Sequence, residues 1–154
     1  MTTNALRIVK ALGIQVRTME YEVDAEDLSA AAVAAKTGVD PDRIFKTLVA
    51  VGDKTGPFMC VIPGSAELDL KKTAQASGNK SVTMLHLREL EPLTGYQRGG
   101  CSPVGSRKQL PVYIDETARL WEELSVSAGR RGLQMLLAPD ELLRVTYGEY
   151  ADLV

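Results

Sequence analysis

The sequence predicts an α+β fold. Segments with helix and strand periodicity are both present, they lack the regular strand-helix alternation of a doubly wound sheet, and several neighbouring strands are joined by hairpin-length connections. At 154 residues, 45% hydrophobic and 25% charged, the chain suits one compact domain over 1–154 with a single core. No repeat, low-complexity tract or Pro/Ser-rich linker marks a boundary.

The elements follow in order. Thr3 can cap a helix whose apolar positions Ala5, Ile8, Val9 and Leu12 fall on one face, with Gly13 as its stop. Met19, Tyr21 and Val23 alternate with Glu20 and Glu22, the period-two pattern of a half-buried strand. Ala30 to Thr37 reads as a helix between the cap Ser29 and the terminator Gly38, and Asp40-Pro41 starts a turn. Ile44 to Val51 is strongly β-prone, and Asp53-Lys54-Thr55-Gly56-Pro57 turns it into Phe58 to Ile62 as a hairpin. Asp69 caps a helix through Ser77 that stops at Gly78. Val82 to Leu85 is a short strand and Leu87 to Leu93 a short helix. Val112 to Asp115, Ser125 to Ala128 and Leu133 to Leu137 are further strands, with a helical piece at Ala118 to Glu123 and a last helix at Pro139 to Val145.

Composition excludes several classes of function. The apolar runs are too short to span a bilayer and the N-terminal residues lack the pattern of a secretory signal, so a soluble, cytoplasmic protein with no membrane partner is expected. Cys60 and Cys101 have no CxxC partner, which suggests neither a zinc site nor a disulfide. With His86 as the one histidine, a His-rich metal site is impossible and a Ser/His/Asp triad would depend on that residue alone. No metal or cofactor is expected. A net charge of −2 argues against coating DNA or RNA by bulk electrostatics. Arg98, Arg107 and Lys108 still form a local basic rim, with Arg130-Arg131 as a second basic pair.

The richest segment is Gly95-Tyr96-Gln97-Arg98-Gly99-Gly100-Cys101-Ser102-Pro103-Val104-Gly105. Gly and Pro disfavour both helix and central strand, so it is a shaped loop. It is either a long connection that needs glycines for positive φ or a cradle in which backbone groups at Gly99 and Gly100, the Ser102 hydroxyl and the stiff Pro103 hold a small polar ligand. Lys46 shares a strand face with Ile44, Leu48 and Ala50, and is either embedded with a lowered pKa or an edge lysine that blunts aggregation. Thr47 falls on the opposite face, where its hydroxyl serves structure or a backbone contact, and Tyr21 either lines a pocket or fills the core. Ser127 sits in a second small-residue segment closed by Gly129 and Gly132. Its glycine spacing matches neither a P-loop nor a dinucleotide fingerprint.

Five blocks, Tyr21-Glu22, Phe45-Lys46-Thr47-Leu48, Leu68-Asp69-Leu70-Lys71-Lys72, Gly95 to Gly105 and Ser127-Ala128-Gly129-Arg130-Arg131-Gly132-Leu133, resemble in order and spacing the YbaK-type aminoacyl-tRNA deacylases, relatives of the editing domain inserted in bacterial prolyl-tRNA synthetases. The resemblance spans nearly the whole chain. It implies a curled, barrel-like mixed sheet flanked by helices, trans-editing hydrolysis of mischarged tRNA such as Cys-tRNA(Pro), and a partnership with prolyl-tRNA synthetase. It also implies Lys46 as the essential lysine, Tyr21, Thr47 and Ser127 as substrate-pocket residues, and Gly99 to Pro103 as the GxxxP-type loop. The implied mechanism uses no protein nucleophile: a thiol or ribose hydroxyl of the substrate assists, and Cys101 is a packing residue. Val23 and Gln134 depart from the family pattern, which has a histidine and an acid there. A neutral amide at Gln134 changes how a substrate amino group is bound. The competing expectation is a non-catalytic or regulatory module that keeps the pocket, or a deacylase for another small amino acid.

Overall fold

The computed structural model describes residues 2–154. Its helices begin where the sequence offers caps. The Thr3 hydroxyl accepts from Leu6 N at 3.2 Å to start α1 (Asn4–Ala11), which buries Ala5, Leu6 and Val9. Ser29 does the same for Ala32 N at 3.2 Å at the head of α2 (Ala30–Thr37). The Asp69 carboxylate accepts from Lys71 N and Lys72 N, both at 3.0 Å, to open α3 (Leu70–Ser77). The remaining helices are α4 (Leu87–Thr94) and α5 (Pro139–Thr146).

The strands are β1 (Arg17–Glu20), β2 (Phe45–Gly52), β3 (Gly56–Pro63), β4 (Val82–Met84), β5 (Val112–Asp115), β6 (Leu124–Arg130), β7 (Leu133–Leu137) and β8 (Glu149–Ala151). They form two sheets, one of three strands in the order β1-β7-β6 and one of five in the order β4-β2-β3-β5-β8. The first is antiparallel, whereas β5 joins β3 and β8 in parallel, which makes the second mixed. The sheets meet at a single parallel bridge between Ile44 and Ser125. The expected barrel-like sheet is therefore two sheets joined at a point and not closed, because β1, β4 and β8 are left as edges.

The predicted hairpin is present in the register Lys46 to Ile62 and Leu48 to Cys60. Its turn is held by the buried Asn79 amide, whose Oδ1 accepts from Lys54 N at 2.9 Å and Thr55 N at 3.0 Å. The first strand is corrected from Met19–Val23 to Arg17–Glu20. Its partner β7 begins opposite Glu20, so beyond one further bond, from Tyr21 N to Gly132 O at 3.0 Å, nothing remains to pair with. The helical piece at Ala118–Glu123 is corrected to a 3-10 turn over Glu116–Leu120, moved toward the N-terminus by the Asp115 carboxylate, which accepts from Thr117 N. The other Asp115 oxygen accepts from Leu153 N at 2.9 Å, which ties the chain's last residues to β5.

The largest core cluster packs α1 against one face of β6 and β7 through Val9, Val126 and Met135. A second lies under α3 and contains Ala50, Phe58 and Ile62, and a third joins α2 to Ile44 and Leu136. Among the described residues no helix is long and apolar enough to cross a membrane.

Candidate active site

Strand alternation builds the site. On β6 and β7, Leu124, Val126, Ala128, Leu133, Met135 and Leu137 enter the main core, while Ser125, Ser127 and Gln134 occupy the other face. On β2, Phe45 and Val49 enter the main core, and Leu48 and Ala50 face the α3 cluster. Where the two sheets part beyond the Ile44–Ser125 bridge they leave a cleft of about 750 Å³. Lys46, Thr47, Ser127, Gln134 and Gly99 all line it, together with Arg98 and Cys101 from the glycine loop.

Lys46 is the second residue of β2, half-buried, on the same face as Leu48 and Ala50. It has no ion-pair partner among the described residues. Thr47 is on the opposite face, as alternation requires, but its Oγ1 serves no hydrogen bond: it is buried without a partner. Ser127 Oγ accepts from Gly129 N at 3.2 Å, next to a bulge in the β6–β7 ladder. Gln134, opposite Ser127 and 5% exposed, receives the Ser125 hydroxyl on its Oε1 at 2.9 Å.

The glycine loop contributes less of its length than its composition suggests. Gly99 lines the cleft at φ +83, a left-handed conformation that favours glycine. Gly100 instead turns inward, where a Cβ would stand 2.9 Å from Arg131 N, so it lets the loop lie against the β6–β7 turn. Ser102 is buried and its hydroxyl accepts from Val104 N at 3.2 Å, and Pro103 is buried beside it. Gly129 lies against the Tyr96 ring. Tyr21 packs on the Val33–Ile44 cluster outside the cleft. Thus Gly100, Ser102, Pro103, Gly129 and Tyr21 shape the surroundings, and the cleft wall is formed by the others.

Burial settles the chemistry of the thiols. Desolvation pushes both Cys60 and Cys101 up to about 12. In the folded protein, iodoacetamide at pH 8 is expected to label neither cysteine on a timescale that labels the urea-unfolded chain completely; rapid native labelling of Cys101 would contradict this. Because both folded values lie above that of an unfolded thiol, the protonated forms favour folding. Their contribution is complete below pH about 9 and is lost as pH rises from there toward 12. Among the described residues no group of three or more His, Cys, Asp or Glu side chains could hold a metal ion. His86 is exposed and lies outside the cleft.

With this geometry in hand, comparison with known proteins is direct. Residues 25–145 match the aminoacyl-tRNA editing domain family. The chain belongs to that family. The editing domain is 52% identical over 98% of its length to 92% of an Enterococcus faecalis protein named "Putative Cys-tRNA(Pro)/Cys-tRNA(Cys) deacylase EbsC". It is 31% identical, over 80% of its length, to a segment forming 21% of the proline–tRNA ligase of Shouchella clausii. A crystal structure described as a putative trans-editing enzyme for prolyl tRNA synthetase superposes with a TM-score of 0.81 at 30% identity, covering 99% of this chain and 98% of that one.

The editing domain also has two rims that the sequence did not single out. Glu26, Asp27 and Leu28 line the cleft from the segment between β1 and α2, and Leu28 lies against Gly99. The Asp27 carboxyl is held below the usual range by its hydrogen bonds with Ser29. Opposite in character, Met84, Leu85, Leu87 and Leu90 give an apolar rim, with Met84 and Leu87 substantially exposed.

Proposed function

We propose that this editing domain hydrolyses the aminoacyl ester of mischarged tRNA in trans, with Cys-tRNA(Pro) as its substrate. The observation that carries this reading is the cleft itself, which gathers Lys46, Thr47, Ser127, Gln134 and Gly99 in a chain of the editing family. The Enterococcus faecalis relative, named "Putative Cys-tRNA(Pro)/Cys-tRNA(Cys) deacylase EbsC", supports that choice of substrate. Selection of the tRNA body would come from association with prolyl-tRNA synthetase in the cytoplasm, because an acidic chain with a small basic rim has little with which to hold tRNA alone.

In hydrolysis, the oxygen of water bonds to the carbonyl carbon, the ester C–O bond breaks, and the ribose oxygen leaves with a proton. Lys46 would hold the ester carbonyl or the terminal phosphate as a fixed positive charge. The substrate's own thiol or ribose hydroxyl, beside the ester, assists the proton transfers; of the protein's groups, Cys101 in the cleft stays protonated and His86 lies outside it, while the Glu26 and Asp27 carboxylates stand on its rim. Gln134 offers the cleft a neutral amide, so no carboxylate at that position meets the α-ammonium. Tyr21, Gly100, Ser102, Pro103 and Gly129 support the wall from behind.

The test is release of amino acid from preformed Cys-tRNA(Pro), Ala-tRNA(Pro) and Ser-tRNA. Preferential loss of cysteine is expected. Preferential loss of alanine or serine would make it a deacylase for another small amino acid, and binding with no release would make it a non-catalytic module.

A further inference from the structure

Six consecutive residues, Ile44 to Val49, line the cleft. Side chains alternate between the two faces of a strand, so no single face can present all six. The cleft therefore runs along the backbone edge of β2.

On one side β2 is paired with β3 along its whole length. On the other, β4 reaches only Ala50 to Gly52, and Ile44 makes its lone bridge to Ser125. Between these points the edge carries no strand. The direction of the peptide groups there follows from two bonds. The Ile44 carbonyl accepts from Gly64 N at 2.8 Å, on the β3 side, and the Val49 carbonyl accepts from Leu85 N at 3.0 Å, on the β4 side. Both main-chain groups of a residue point the same way, and the direction reverses at each residue. Thr47 thus aims its N–H and C=O into the gap. Its buried Oγ1 is also without a hydrogen-bond partner.

We propose that this gap in the sheet is the seat of the aminoacyl group, which takes the place of one residue of a missing antiparallel strand. An aminoacyl ester carries a donor nitrogen and a carbonyl acceptor three bonds apart, as any strand residue does. The Thr47 carbonyl accepts from the α-ammonium, and Thr47 N–H donates to the ester carbonyl oxygen. Residues opposite each other in an antiparallel pair project their side chains to the same face. The amino acid's side chain then lies on the Thr47 face, beside Phe45 and Val49, and Lys46 is left on the other face for the ester's nucleotide side. This assigns carbonyl recognition to a rigid strand in place of the glycine loop, whose Gly100 N–H is already bonded to Gln97 O at 2.9 Å.

The inference rests on the deacylase reading, since it takes an aminoacyl ester as occupant. Its test is amide hydrogen exchange by NMR with the amide-linked analogue 3′-cysteinylamino-3′-deoxyadenosine as probe. In the free protein the Thr47 amide is expected to exchange faster than those of Lys46 and Leu48, which face β3. At saturating analogue it slows by about tenfold, the effect of one gained hydrogen bond. A Thr47 amide already as protected as Leu48, or unchanged by the analogue, overturns the proposal. Deacylation of Cys-tRNA(Pro) by the same preparation separates the two claims. Turnover without Thr47 protection overturns the seat alone, and protection without turnover supports the seat and overturns the deacylase reading.

Discussion

Lys46→Ala is expected to lower kcat/KM for Cys-tRNA(Pro) deacylation by about a hundredfold, the usual effect of losing one fixed charge-stabilising group. Lys46 lines the cleft and has no ion-pair partner among the described residues to share its charge with. Its side chain is half-exposed, so the fold loses little with it: a change in stability within about 0.5 kcal/mol is expected. Lys46→Arg keeps the charge but not the compact ammonium, and should recover only part of the rate. The measurement is steady-state deacylation beside urea unfolding of the same samples. Equal rates for wild type and Lys46→Ala would remove the lysine from the mechanism.

Gly100→Ala should cost both stability and activity. The added Cβ meets main-chain atoms, standing 2.9 Å from Arg131 N and 3.1 Å from the Arg130 carbonyl carbon, and backbone cannot swing aside as a flexible side chain can. Overpacking of this kind costs about 1–3 kcal/mol. Relief requires the glycine loop to lift from the β6–β7 turn, carrying Gly99 and Arg98 out of the cleft wall. A lower urea midpoint together with a reduced kcat/KM is the expected outcome. A variant as stable and active as wild type would show that the close approach has no bearing on the site.

Much of this fold was legible in local pattern. The hairpin from Ile44 to Ile62 and the helices begun by Thr3, Ser29 and Asp69 stand where β-propensity and caps placed them. The misses share a cause, which is dependence on a partner elsewhere. Strand β8 is three residues long, too short to show a period, and exists because β5 offers it an edge. Strand β1 ends at Glu20 because β7 begins opposite it, at Leu133, whatever the alternation through Val23 suggests. The cleft follows the same rule. Lys46, Thr47 and Ser127 were singled out by residue type, and alternation put Lys46 and Thr47 on opposite faces. That both reach one cleft follows from an open strand edge, which is a property of pairing. Gly100 was read as a possible ligand contact because glycine permits close approach; the approach is real, but it is made to Arg131.

The most direct measurement is single-turnover reaction of the wild-type chain with Cys-tRNA(Pro), quenched in acid and divided between an assay for remaining ester and intact-mass spectrometry of the protein. Hydrolysis through positioning alone predicts that the ester disappears while the protein's mass stays unchanged at every time. A stable ester, or a transient cysteinyl adduct on the protein, would contradict it.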